Sequence, residues 1–213
     1  LSHSEDGADV HLTIDAYIQA IAEKEIEIAV KEVHAKCGWA VMMSPTTGEI
    51  YALAQYPAFD PSHYRTYYND AELVEYTKVK AITDCFEPGS TMKPISIAIA
   101  FLANEELAKR GEEPLFDPAE MVATSNGKFP GRTKPVKDDS HHRFLNMYLA
   151  IQKSSNIYVA RLIEKIEKRL GNAWYREQLK TIFKFECKTG LELPYESIGL
   201  LPDPNRRYKT GHV

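Results

Sequence analysis

Glu87-Pro88-Gly89-Ser90-Thr91-Met92-Lys93-Pro94 is the stretch that decides how this chain folds. It joins a Pro-Gly break to a strongly apolar segment, Thr91 to Leu107, with Gly111 beyond its end. That pattern predicts a helix whose nearly all-round hydrophobicity implies burial. A serine and a lysine three residues apart on a helix share one face, so the amine reaches the hydroxyl and can act on its proton. Ser90 falls in the first turn, near free backbone N–H groups and the positive end of the helix dipole. Lys93, one turn in and among apolar residues, is expected to hold its proton weakly. Local geometry still leaves a plain helix cap open for Ser90. The same spacing in Ser125-Asn126-Gly127-Lys128 runs through an Asn-Gly turn, where it does not bring side chains together.

Outward from this centre, Thr13 is the expected N-cap of a helix carrying Ile14, Ile18, Ile21, Ala22, Ala29 and Val33 on one face, with Gly38 as its breaker. Trp39–Met43 and Glu49–Gln55, around Ser44-Pro45-Thr46-Thr47-Gly48, predict a β-hairpin. Residues 62–80 are aromatic and charged, with a helix expected from Asp70. Residues 111–143 read as a long irregular excursion of the functional or mobile kind. A short helix is expected over Phe144–Gln152. After Ser154-Ser155-Asn156, a second is marked by Val159, Ile163, Ile166 and Leu170 and ended by Gly171, and a third lies around Trp174–Phe183.

The 213 residues are 44% apolar and 26% charged, the make-up of a globular chain of one to two domains that needs no staples. With 26 Lys and Arg against 30 Asp and Glu, the net charge of -4 speaks against nucleic acid as a partner. Cys37, Cys85 and Cys187 form no C-x-x-C pair and read as buried thiols rather than a disulfide framework or zinc site. The Ile95–Ala103 run is too short to cross a membrane. Leu1, with no leader pattern, reads as the start of a processed or excised piece. His141-His142 beside Asp138-Asp139 reads as a solvated loop, Trp39 and Trp174 as core aromatics, and Tyr64, Tyr67 and Tyr68 with Arg65 as either a packed helix or a contact surface.

The Glu87–Pro94 element, Ser154-Ser155-Asn156, Leu12-Thr13-Ile14-Asp15 and Thr47-Gly48-Glu49-Ile50-Tyr51-Ala52-Leu53-Ala54 together resemble the transpeptidase domain of class B high-molecular-weight penicillin-binding proteins. Pro57–Asp60 and Gly190-Leu191-Glu192-Leu193-Pro194 extend the resemblance from about residue 10 to 205. It implies an α/β fold of the penicillin-binding-protein/β-lactamase type, an antiparallel sheet flanked by helices, here truncated on its C-terminal side. It also implies the roles: Ser90 the acylated nucleophile, Lys93 its proton acceptor, Ser154 the proton-relaying hydroxyl and Asn156 the substrate-holding amide. The implied reaction is D,D-transpeptidation of peptidoglycan stem pentapeptides ending in D-Ala-D-Ala, with β-lactams trapped on the same oxygen and no metal or organic cofactor. Implied partners are a membrane glycan polymerase and division or elongation proteins, at the periplasmic face of a bacterial inner membrane. A serine β-lactamase or a non-catalytic penicillin sensor are the alternatives.

The family's third element is a K-T-G on a strand. Lys188-Thr189-Gly190 and Lys209-Thr210-Gly211 both read as coincidences, because the first runs into a structural loop and the second comes too early for the strand. Residues 1–213 are therefore expected to be the N-terminal portion of the domain, with the third motif and later strands outside it. Loss of an oxyanion-hole donor typically costs about 10² to 10³ in rate, so weak activity is expected of this piece, and its hairpin is expected to expose an edge or an apolar face.

Overall fold

The structure, a computed structural model, describes residues 7–202. Within them the chain forms two compact units: one runs up to Asp84 and takes in Glu192–Ser197, and the other holds Cys85–Leu191 and the residues from Ile198 on.

In the first unit, helix α1 (Ala16–Glu32) begins one residue after Asp15, whose carboxylate accepts from the Tyr17 and Ile18 N–H groups, each at 2.9 Å. Asp15, not Thr13, is thus the cap. The Thr13 hydroxyl donates to the Ile50 carbonyl at 2.6 Å instead, tying the segment that leads into α1 to the sheet. Gly38 is not the breaker either. The helix closes earlier, with His34 in the left-handed region (φ 53°) and the Ala35 N–H returning to the Val30 carbonyl at 3.0 Å. Gly38 opens strand β1 (Gly38–Met43), and glycine is needed there for a different reason: a Cβ would lie 2.6 Å from Val30 Cγ2.

Strand β2 (Ile50–Tyr56) pairs antiparallel with β1, from Gly38 opposite Tyr56 to Met43 opposite Ile50, confirming the hairpin. Ala52 and Ala54 are its buried residues, and Gln19 of α1 clamps the strand by accepting from the Leu53 N–H and donating to the Leu53 carbonyl. Val41, Met42 and Met43 are exposed.

No continuous helix runs from Asp70. A short helix, α2 (Tyr64–Tyr68), ends before it, and only a 3₁₀ turn (Leu73–Thr77) and α3 (Lys80–Thr83) follow, because the Asp70 carboxylate bonds the Glu72 and Leu73 N–H groups and fixes a turn. Of the tyrosines, Tyr67 packs edge-on against Phe59 at 5.0 Å, whereas Tyr64 and Tyr68 are exposed.

The second unit is built on helix α4 (Met92–Lys109), which buries Lys93, Ser96, Ile97, Ile99, Ala100, Ala103 and Leu107. Strands β3 (Val122–Ala123) and β4 (Phe144–Leu145) pair in a two-residue antiparallel ladder, so the expected helix over 144–152 starts only at Met147. Helices α5 (Met147–Gln152), α6 (Asn156–Leu170) and α7 (Asn172–Thr181) follow, with α4 against α6 and α6 against α7. Leu162, Ile166 and Leu179 meet the α4 face in one core, and Trp174 packs at its margin. Burial of this apolar surface, at about 25 cal/mol per Å², is what holds α4 and α6 in fixed relation.

The cysteines correct the sequence reading: Cys85 and Cys187 are exposed and Cys37 half-buried, with no disulfide among them. Among the described residues no helix is long and apolar enough to cross a membrane.

Candidate functional site

The Pro-Gly break ahead of α4 folds as a 3₁₀ turn, Gly89–Thr91, in which Gly89 takes φ 60°, a conformation that disfavours side chains. The Thr91 hydroxyl closes the turn on the Pro88 carbonyl at 2.6 Å. Pro94, the third residue of α4, is tolerated because the first N–H groups of a helix have no intrahelical partner. Ser90 is left exposed in this turn, and Lys93, 9% exposed, lies beneath it on the buried face of α4. The Lys93 Nζ is 2.9 Å from Ser90 Oγ.

The second hydroxyl comes from a helix end. Helix α5 terminates with the Ser155 N–H on the Ala150 carbonyl (2.9 Å) and the Ser154 N–H on the Ile151 carbonyl (3.1 Å), with Ser154 itself at φ 53°. This closing motif normally takes glycine at the left-handed position. A serine there accepts some backbone strain and presents its hydroxyl at a fixed angle. Ser154 Oγ lies 2.8 Å from Lys93 Nζ and donates to Ser90 Oγ at 3.0 Å, while Lys93 also donates to the Ser154 carbonyl. Ser90, Lys93 and Ser154, up to 64 residues apart, form a closed triangle.

Burial lowers the proton affinity of the Lys93 amine, and the negative charge of Asp138 partly restores it. Asp138 is the residue that sequence reasoning missed. Its Oδ1 accepts from the Asn156 and Ile157 N–H groups at 2.6 and 2.9 Å, and its Oδ2 from the Ser155 hydroxyl at 2.6 Å. Ser155, fully buried, in turn caps α6 by accepting from the Tyr158 N–H at 3.0 Å. An acid at the positive end of a helix was the available signal, but it arrives from a loop 17 to 19 residues earlier.

Asn156 is not part of the triangle. Its side-chain amide donates to the Lys137 carbonyl at 2.8 Å. Ser125 and Lys128 are both exposed, and among the described residues no hydrogen bond joins their side chains; the Lys128 N–H is taken by the Asn126 side chain at 2.9 Å. Lys188-Thr189-Gly190 lies in a loop with Gly190 at φ 86°, the Thr189 hydroxyl accepting from the Leu191 N–H, and Lys209-Thr210-Gly211 lies outside the described residues. Among the described residues no three His, Cys, Asp or Glu side chains are grouped to hold a metal.

Such a triangle, an exposed serine over a buried amine with a second hydroxyl completing it, is suited to acyl transfer. Residues 38–211 match the family of the penicillin binding protein transpeptidase domain. The chain belongs to that family. Within it the chain sides with the class B group. It is 35% identical over 158 residues to the probable peptidoglycan D,D-transpeptidase PenA of Neisseria gonorrhoeae, covering 74% of this chain and 24% of that protein. Over 197 residues it is 32% identical to the stage V sporulation protein D of Bacillus subtilis, covering 92% of this chain and 28% of that one. The solved transpeptidase domain of Burkholderia pseudomallei penicillin-binding protein 3 superposes with a TM-score of 0.67 at 28% identity, covering 95% of this chain and 51% of that one. The fold is therefore the penicillin-binding-protein/β-lactamase-like one expected, and this transpeptidase-family chain spans only between 24% and 31% of the length of the first curated relatives it matches.

Proposed function

We propose that this chain carries the acylating centre of a peptidoglycan D,D-transpeptidase, with Ser90 as nucleophile, Lys93 as general base and Ser154 as proton relay. The observation that carries this reading is the triangle of 2.9, 2.8 and 3.0 Å among their side-chain heteroatoms. A neutral Lys93 has two N–H bonds and one lone pair. The Ser154 carbonyl, an acceptor only, takes one N–H, and Ser154 Oγ takes the other. The lone pair is then left for the Ser90 hydroxyl. As Ser90 Oγ attacks the carbonyl between two terminal D-alanines, its proton passes to Lys93, and the Ser154 O–H and the new ammonium both stabilise the developing charge. When the C–N bond breaks, Lys93 returns a proton through Ser154 to the departing amine, which leaves as D-alanine. An amine from a neighbouring stem then attacks the acyl-enzyme by the same route in reverse. General-base assistance of this kind is worth about 10² to 10⁴ in rate. Asn156, at the mouth of the Ser154 loop, is assigned to the substrate backbone, which requires its amide to exchange the Lys137 carbonyl for a substrate carbonyl.

A β-lactam presents the same amide in a strained ring, so the acyl-enzyme it forms keeps its leaving group tethered and persists. We infer that the working protein acts in the bacterial cell envelope, at the periplasmic face of the membrane, beside a glycan polymerase and division or elongation proteins; the peptidoglycan D,D-transpeptidase names of its relatives support the envelope reading. The test is intact-mass analysis after incubation with benzylpenicillin. A long-lived adduct that Ser90→Ala abolishes and Ser125→Ala leaves intact is expected. Rapid loss of the adduct would make the protein a β-lactamase, and labelling that survives Ser90→Ala would remove the nucleophile assignment.

A further inference from the structure

The irregular segment between β3 and β4 carries a charge pattern that the fold does not use. Lys128, Arg132, Lys134 and Lys137 fall within ten residues, no Asp or Glu occurs from 121 to 137, and the chain as a whole has a net charge of -4. All four are exposed, and none of their side chains has an ion pair or hydrogen bond among the described residues. Like charges so close repel one another, which opposes ordering the loop. The loop is nonetheless held closed by other means. The Val136 N–H donates to the Gly127 carbonyl at 2.8 Å, and the two arms of the loop approach so tightly that a Cβ on Gly127 would lie 1.8 Å from the Val136 oxygen.

The loop is also fastened to the helix that follows the Ser154 turn. Arg161 of α6 donates to the Asn126 carbonyl at 2.9 Å and stacks over the Phe129 ring at 4.3 Å, and Asn156 and Asp138 tie the other end to the first turn of α6. Lys137 is therefore bonded through its carbonyl to a residue two positions from Ser154, a backbone span of at most about 7 Å. The two acids at this end, Asp138 and Asp139, offset at most two of the four positive charges, so the loop keeps a net positive charge.

We propose that the loop from Lys128 to Lys137 is a carboxylate-binding subsite that engages free carboxylates along the stem peptide while its terminus lies at Ser90. This rests on the transpeptidase reading and names the substrate chemistry that reading would select: an anionic stem over its amidated counterpart. When substrate displaces the Lys137 carbonyl from Asn156, the loop stays fastened to α6 through Asp138 at one end and Arg161 at the other.

The test is fluorescence anisotropy with two labelled pentapeptides that share a D-Ala-D-Ala terminus, one with free side-chain carboxylates and one with those groups amidated. At low salt the wild-type chain is expected to bind the anionic peptide about tenfold more tightly, a preference that shrinks as salt rises. Replacing the four cations together (Lys128→Gln, Arg132→Gln, Lys134→Gln, Lys137→Gln) is expected to bring the two peptides within about twofold of each other. Lys137→Glu alone is expected to lower the preference and provides a milder second variant should the quadruple one fold poorly. Equal binding of both peptides by wild type, or an unchanged preference in both variants, would overturn the proposal. So would tighter binding to phosphatidylglycerol vesicles than to either peptide. Penicillin labelling of Ser90, read on the same samples, reports separately on the transpeptidase assignment.

Discussion

Replacing Asp138 with alanine tests the link between the loop at Ser154 and the chemistry at Lys93. The carboxylate accepts three hydrogen bonds, at 2.6, 2.6 and 2.9 Å, two of them from backbone N–H groups at the start of α6 and one from the hydroxyl of fully buried Ser155. Bonds to a charged acceptor contribute about 1.5 to 3 kcal/mol each, but water can replace the acid at an exposed helix start and cannot easily reach Ser155. The expected loss of stability is therefore about 2 to 4 kcal/mol, well below the sum of three, read as a shift in the urea midpoint at unchanged slope. Asp138→Asn keeps one acceptor oxygen and is expected to lose roughly half as much. A second readout follows from sign. Burial depresses the Lys93 proton affinity and the Asp138 charge raises it, so removing the charge must depress it further. The acid limb of the penicillin acylation rate against pH should move to lower pH in Asp138→Asn. A stability loss under about 0.5 kcal/mol in the alanine variant, or an acid limb that moves upward, would refute the assigned role.

Three further outcomes are expected from packing and titration. Leu107→Ala, at a side chain with no exposure, should cost about 2 to 5 kcal/mol in urea unfolding, through lost transfer energy and the cavity left between α4 and its neighbours. Gly38→Ala should cost about 1 to 3 kcal/mol, because its Cβ would meet the stiff, buried Val30 side chain at 2.6 Å, and adding Val30→Ala should recover part of that loss. Tyr158 is buried, which raises its phenol pKa to about 12. The unfolded chain then gives up this proton first, so stability should be complete below about pH 10 and decline by roughly 2 to 3 kcal/mol as pH rises toward 12. Tyr158→Phe should flatten that alkaline decline, and an identical slope in the variant would count against it.

Much of the local structure was legible because the signals are short-range. The Ser90–Lys93 pair follows from three-residue spacing at the start of an apolar helix, and the hairpin from two β-prone runs around a Pro- and Gly-containing loop. Two of the errors were also local, and share a cause: a polar side chain competing for backbone donors. Asp15 rather than Thr13 satisfies the first N–H groups of α1, and Asp70 draws its neighbours into a turn where periodicity suggested a helix. The thiols were misjudged because cysteine's average preference for burial says nothing about a particular loop or terminus. Ser154 was assigned through likeness to a family. Nothing in its own neighbourhood marks a serine at a position that helix ends usually give to glycine.

By itself the sequence determined which groups share a helix face, where apolar burial would be concentrated, and that the hydroxyl and amine of Ser90 and Lys93 stand one turn apart. Tertiary structure alone decided that the α5 end delivers Ser154 to that amine and that Asp138 seals the start of α6. Contacts three residues apart are dictated by the helical repeat. Contacts across 61 or 17 residues exist only once the packed core fixes α4 against α6, and no local rule encodes that distance.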